Sequence, residues 1–175
     1  MDIKLFKLNL KIALLRATGK LSKIDKSVEF TSNQLASPNI LIIFPIDKEL
    51  ISKSMSSISG IMNSQKNNNA KFSFLLNNNI ESQMNYYDIE ILSLVVNKNE
   101  KILNSNDIID KIYFKKFDII IDLNLKFKID IALIVNELKS KYKIGFISRY
   151  ADLFYNIQLK SNGSNLYEPI KNILG

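Results

Sequence analysis

Asp47, Asp122, Asn124 and Arg149 each follow closely on a short apolar run, and they are the residues of this chain best suited to chemistry. An aspartate placed like Asp47, just beyond Ile40–Phe44 and at the start of a helical pattern, suits a general base toward a hydroxyl. Asp122 with Asn124 beside it could bind a sugar hydroxyl or a cation. Arg149 is the only arginine outside the first 26 residues, and its planar fork matches a carboxylate or phosphate. Each also has a structural reading. An acidic first helical turn at Asp47 and Glu49 complements the helix dipole. Asp122 could bond to backbone N–H groups of its own crossover, and Arg149 could pair with Asp122 or Asp152. Asp118, at the other end of the same run as Asp122, reads as a cap on the strand entry.

Several chemistries are excluded by composition. The chain has no histidine, no cysteine and no tryptophan, so imidazole bases, thiolate nucleophiles, disulfides and the usual transition-metal ligands are absent. A carboxylate-only site for magnesium or calcium stays open, but no acidic cluster has EF-hand spacing and no residue is singled out as a metal ligand. The turn after Ile40–Phe44 reads Pro45-Ile46-Asp47-Lys48 and contains no glycine. A phosphate cradle needs glycines so that backbone N–H groups can reach the oxygens, so no dinucleotide cofactor is expected.

The elements that must position these residues form a regular series. Ile40–Phe44, Phe72–Leu76, Ile89–Val96, Asp118–Leu123, Lys143–Ile147 and Asn156–Leu159 read as strands, several of them apolar throughout, as in sheets buried on both faces. Between them, helical spacing occurs over Lys48–Gln65, Asp107–Phe117 (with Ser105 or Asn106 as its cap) and Ile129–Tyr142. A short helix is expected over Ile80–Tyr87, a helical turn over Arg149–Tyr155 and a closing helix over Tyr167–Leu174. Tyr150, Phe154, Tyr155 and Tyr167 are spaced for packing on the sheet. Asn162-Gly163-Ser164 is read as a turn. The alternation predicts one α/β, Rossmann-like, doubly wound and mainly parallel sheet of five to six strands with helices on both faces.

At 175 residues this is one domain's worth of chain, divided into a basic amphipathic helix (1–26), a linker (27–38) and the α/β body (39–175). Seven basic groups against Asp2 and Asp25 place five of the seven net positive charges in the first 26 residues. The body is therefore almost neutral, which disfavours nucleic acid as a partner. Within the leader a helix is expected over Ile3–Leu21. Its lysines break up any secretory core and forbid a membrane span. The helix either docks on its own domain or lies on an anionic membrane surface. A cytoplasmic protein, peripheral to a membrane in the second case, is expected.

Phe117-Asp118-Ile119-Ile120-Ile121-Asp122-Leu123, a helix, and then Tyr142-Lys143-Ile144-Gly145-Phe146 resemble the N-terminal Rossmann-like domain of glycosyltransferase family 9, the heptosyltransferase-like enzymes of bacterial envelope synthesis. The likeness covers roughly Asn39–Leu159. In that family a Gly-Asp pair follows the first strand and its aspartate serves as base. Here the glycine is missing and Asp47 is the nearest counterpart. The family's second, nucleotide-sugar-binding domain has no counterpart in these 175 residues. The resemblance thus implies a degenerate, stand-alone and non-catalytic domain that binds a sugar, a glycan precursor or a protein partner. An alternative is the acceptor-binding half of an active glycosyltransferase in envelope polysaccharide synthesis, taking a sugar or nucleotide-sugar and using Asp47 as base. A second is a receiver-like signalling domain, with Asp118–Leu125 as the phosphoacceptor strand and Lys160 as its late lysine. The acidic pair that receivers carry after their first strand is replaced here by Phe44-Pro45.

Overall fold

The structure is a computed structural model that describes residues 3–27, 37–65, 69–80, 89–161, 163 and 165–174. Six strands form one sheet: β1 (Asn39–Ile43), β2 (Lys71–Asn77), β3 (Glu90–Leu94), β4 (Ile119–Asp122), β5 (Tyr142–Phe146) and β6 (Ile157–Leu159). Their order across it is β3-β2-β1-β4-β5-β6, and every neighbouring pair is parallel. This is the expected Rossmann-like sheet. In a receiver-type sheet the third strand lies beside the first, whereas here β4 does and β3 sits outside β2, so the receiver-like alternative fails on topology.

Successive strand residues point to opposite faces, and each face has its own core. Leu41, Ile43, Leu75, Leu94 and Ile120 pack on one side with α3 (Ser105–Ile112), α4 (Ile129–Glu137) and α1 (Ile3–Ala17). Ile40, Ile42, Phe74, Ile121 and Ile144 pack on the other with α2 (Lys48–Gln65) and α5 (Glu168–Leu174). Burial on both sides explains why the strands read as unbroken apolar runs.

Where elements end differs from the sequence reading for identifiable reasons. The leader helix stops at Ala17 rather than Leu21 because Gly19 adopts φ +65°. The N–H of Gly19 then donates to Arg16 O and that of Lys20 to Leu15 O, closing the helix as a Schellman motif. Helix α4 ends at Glu137, not Tyr142, since Tyr142 pairs with Ile119 and opens β5. Helix α3 spans Ser105–Ile112, and its N-cap position is Asn104 rather than Ser105 or Asn106. The Asn104 side chain supports the sheet instead of the helix: it accepts from Val95 N–H and donates to Ser93 O. A 3-10 turn over Ala151–Leu153 stands for the helical turn expected at Arg149–Tyr155. Most of the expected Ile80–Tyr87 helix, together with Asn162 and Ser164, lies outside the described residues.

Helix α1 is docked on the body. Ile12 is buried in the α3–α4 core, with Leu8 and Leu15 packed beside it. Lys11 pairs with Asp130 at 3.3 Å, and the Tyr150 hydroxyl donates to Asn9 Oδ1 at 2.6 Å. After Gly19 the chain is stapled to α4 by the buried Asn136. Its Oδ1 accepts from Ser22 N–H, its Nδ2 donates to Lys20 O, and its carbonyl accepts from Ser22 Oγ. Asn136→Ala is expected to cost about 1–3 kcal/mol, the worth of two ordinary hydrogen bonds, those from Ser22 N–H and to Lys20 O. Hydrogen exchange should rise selectively across Thr18–Ile24; unchanged exchange there would show that the staple does not hold the leader. Among the described residues no helix is long and apolar enough to cross a membrane.

Candidate functional site

The chain crosses the sheet between β3 and β4, so the carboxyl ends of β1 and β4 diverge and leave a crevice at their tips, the usual ligand position in such sheets. The register sets Ile43 opposite Asp122, and Leu123 N–H bonds to Ile43 O. This pairing brings the loop after β1 and the loop after β4 side by side.

Asp47 stands at the first residue before α2. Its Oδ1 accepts from Glu49 N–H at 3.1 Å, and its carbonyl accepts from Leu50 N–H, so it caps the helix. The carboxylate remains half-buried at the rim of the crevice. Asp122 and Asn124 lie deeper, and both are buried. Asp122 Oδ1 accepts from the backbone N–H of Asn124 (2.9 Å) and from its Nδ2 (2.7 Å), while Oδ2 accepts from the Tyr155 hydroxyl at 2.6 Å. Asn124 Oδ1 in turn accepts from Ile46 N–H at 3.0 Å. One continuous polar chain therefore runs from the β1 loop through β4 to Tyr155 beyond β5. Asp122 thus makes the contact to a backbone N–H of its own crossover that its structural reading expects.

Burial pushes the Asp122 carboxyl above its ordinary value, although the bonds from Tyr155 and Asn124 oppose it. Burial also pushes the Tyr155 hydroxyl well up, with the Asp122 charge adding to the effect. Tyr167, whose hydroxyl donates to Leu123 O, is raised by burial and then by the charges of Asp122 and Asp47. These tyrosines are thus held as neutral donors. At the opposite, amino end of the strands Asp118 acts as expected at the entry of β4, where its Oδ2 accepts from Asn39 N–H at 2.8 Å.

Arg149 takes neither expected partner. Asp122 is satisfied internally, Asp152 pairs with Lys26 at 3.8 Å, and the exposed guanidinium stands over the Tyr150 ring, 5.3 Å from its centroid. A cation over a ring face is itself an attractive arrangement, and here it leaves Arg149 apart from the other three residues.

The crevice at the β1 and β4 tips is a cavity of about 80 Å³ between Asp47, Asn124, Lys126, Lys128 and Glu100. It adjoins a shallower depression of about 500 Å³ that shares Asp47 and Glu100 and extends past Lys48, Asn77 and Lys98. Lys128 is ion-paired with Glu100. Sequence reasoning missed Lys126 and Lys128, although their alternation with Leu125 and Phe127 directly behind β4 was a usable signal. A larger cavity, about 880 Å³, opens at the opposite edge beside Asn39, Lys71, Ser73 and Glu90. It lies at the amino ends of the strands, where neither helix N-termini nor divergent loops converge, and so is the weaker candidate despite its size. Among the described residues no three His, Cys, Asp or Glu side chains gather to hold a metal.

No family model matches the chain, and no curated protein matches it. Among solved structures, the E. coli heptosyltransferase WaaC with ADP is similar, with a TM-score of 0.58 and 15% sequence identity. The fold is heptosyltransferase-like. The match covers 78% of this chain and 48% of that one, so the chain spans about half the length of the solved enzyme. The resemblance read from the strand motifs therefore extends to the architecture. Within the heptosyltransferase-like fold, Asp47, Asp122 and Asn124 converge at the β1–β4 edge and Arg149 does not.

Proposed function

We propose that this chain is a glycosyltransferase family 9-type domain that binds a sugar or glycan precursor in the β1–β4 crevice without transferring it. The state of the carboxylates supports this reading. Asp122 is buried with three accepted hydrogen bonds, Glu100 is paired with Lys128, and Asp47 holds the start of α2 through Oδ1. The same edge presents carboxylate, amide and ammonium groups within one small concavity, a mixture suited to hydroxyls, which both donate and accept. A second reading, the acceptor-binding half of an active enzyme, is favoured by the 48% coverage of the similar enzyme, which leaves room for a donor-binding unit elsewhere.

The test is titration of the full chain with a panel of sugars, sugar phosphates and nucleotide-sugars by calorimetry, with turnover assays in parallel. Saturable binding weakened about tenfold by Asp47→Ala or Lys126→Ala, the effect of losing one polar contact to a ligand, and no turnover, are expected. Turnover abolished by Asp47→Ala would replace the binding reading with the enzymatic one. No binding to any member of the panel would remove both.

A further inference from the structure

Helix α1 carries two apolar faces, and among the described residues only one of them packs against the body. Leu8, Ile12 and Leu15 face the body, as described above. On the opposite side Ile3, Phe6, Leu10 and Leu14 follow one another at helical spacing and are 67%, 51%, 61% and 63% exposed. Isolated exposed leucines are ordinary, but four large apolar residues in line on a single surface helix are not.

The charges around the stripe identify what would cover it. Lys7 flanks it on one side and Arg16 on the other, and both are exposed. No acidic residue occurs between Ile3 and Ile24. A second copy packed stripe to stripe would bring these cationic margins against their equals, which opposes association. An anionic lipid surface has the complementary form: an apolar layer for the stripe and a plane of negative headgroups on both flanks for the long basic side chains. The body holds the helix from the other side through the Lys11–Asp130 pair, the Asn9–Tyr150 bond and the Asn136 staple, so the stripe is presented already formed.

We infer that α1 docks the domain on anionic membrane surfaces, its Ile3–Phe6–Leu10–Leu14 stripe entering the interface and Lys7 and Arg16 meeting the headgroups. The inference is independent of what the crevice binds.

Co-sedimentation of the full chain with phosphatidylcholine vesicles, with and without phosphatidylglycerol, tests it. Binding to the anionic vesicles alone is expected, with a loss of at least about tenfold in partitioning for Phe6→Ser with Leu10→Ser, whose side chains lie outside the fold. Lys7→Glu with Arg16→Glu should lose a similar amount and abolish the salt dependence. Thermal melts of both variants should match the parent. Failure to bind anionic vesicles, or equal binding to neutral ones, would overturn the inference. So would sedimentation-velocity evidence of a dimer that Phe6→Ser with Leu10→Ser disperses, because the stripe would then be a contact between copies.

Discussion

Gly145→Ala is expected to destabilise the domain by about 1–3 kcal/mol, the usual cost of overpacking, lowering its melting temperature by roughly 3–10 °C. A Cβ on Gly145 would stand 2.8 Å from Cγ of Tyr155 and 2.9 Å from both Cδ atoms, closer than real carbon contacts allow. Neither partner can yield easily. Strand β5 is hydrogen-bonded to β4 on one side and β6 on the other. The Tyr155 ring is buried, and its hydroxyl is fixed on Asp122. The clash therefore pushes at once on the sheet and on the polar chain below the crevice. Calorimetric melts of the parent, Gly145→Ala, Tyr155→Leu and the double variant check the cause. If the ring is the obstacle, alanine costs much less once Tyr155 is leucine, giving a coupling of about 0.5–3 kcal/mol. Additive effects would show that the glycine serves some other purpose.

The same pair shows what local sequence can and cannot reveal. Strand β4 was legible because burial on both faces forces Ile119, Ile120 and Ile121 to be apolar together, and α2 was legible to its last residue because Leu50, Ile51, Met55, Ile58, Ile61 and Met62 recur at helical spacing. A glycine inside a strand signals close approach of something, but not of what. The ring that approaches Gly145 is ten residues on, and the carboxylate that holds the ring is 33 residues back. No periodicity links them. Element ends failed for the same reason. The pairing of Tyr142 with Ile119 decides where α4 stops, and the attachment of Asn104 to Ser93 and Val95 decides where α3 starts. Asp47, Asp122 and Asn124 could be placed at the ligand edge from topology alone. Whether their polar atoms face outward depended on Tyr155 and Ile46, which only the folded chain brings near. Gly19 is the converse case: a single residue with a local conformational signal, sufficient to end α1 and overlooked in a run otherwise rich in leucine.

Asp122→Ala should be the most damaging single substitution at this edge, costing roughly 3–5 kcal/mol, because three buried donors lose their acceptor together and a cavity opens. The donors are the Tyr155 hydroxyl, the Asn124 side-chain amide and the Asn124 backbone N–H. Asp122→Asn keeps the volume but turns a donor toward groups that also donate, and should fall between alanine and the parent. Its pH dependence distinguishes a buried carboxyl from a surface one. Folding raises the Asp122 pKa above its ordinary 3.8, so the folded state holds this proton more firmly than the unfolded chain does. The stability Asp122 contributes is then greatest below 3.8 and declines as pH rises through the raised folded value. In urea titrations of the two proteins, where other groups cancel in the difference, the cost of Asp122→Asn should shrink from acidic to neutral pH. A cost that grows with pH would mean that Asp122 is stabilised as a carboxylate, its hydrogen bonds outweighing its burial. Either way the damage passes to the crevice. With Asp122 gone, Asn124 loses the anchor that holds its Oδ1 against Ile46 N–H, and Ile46 immediately precedes Asp47. Ligand affinity should therefore fall in Asp122→Asn even though its side chain is buried beneath the site.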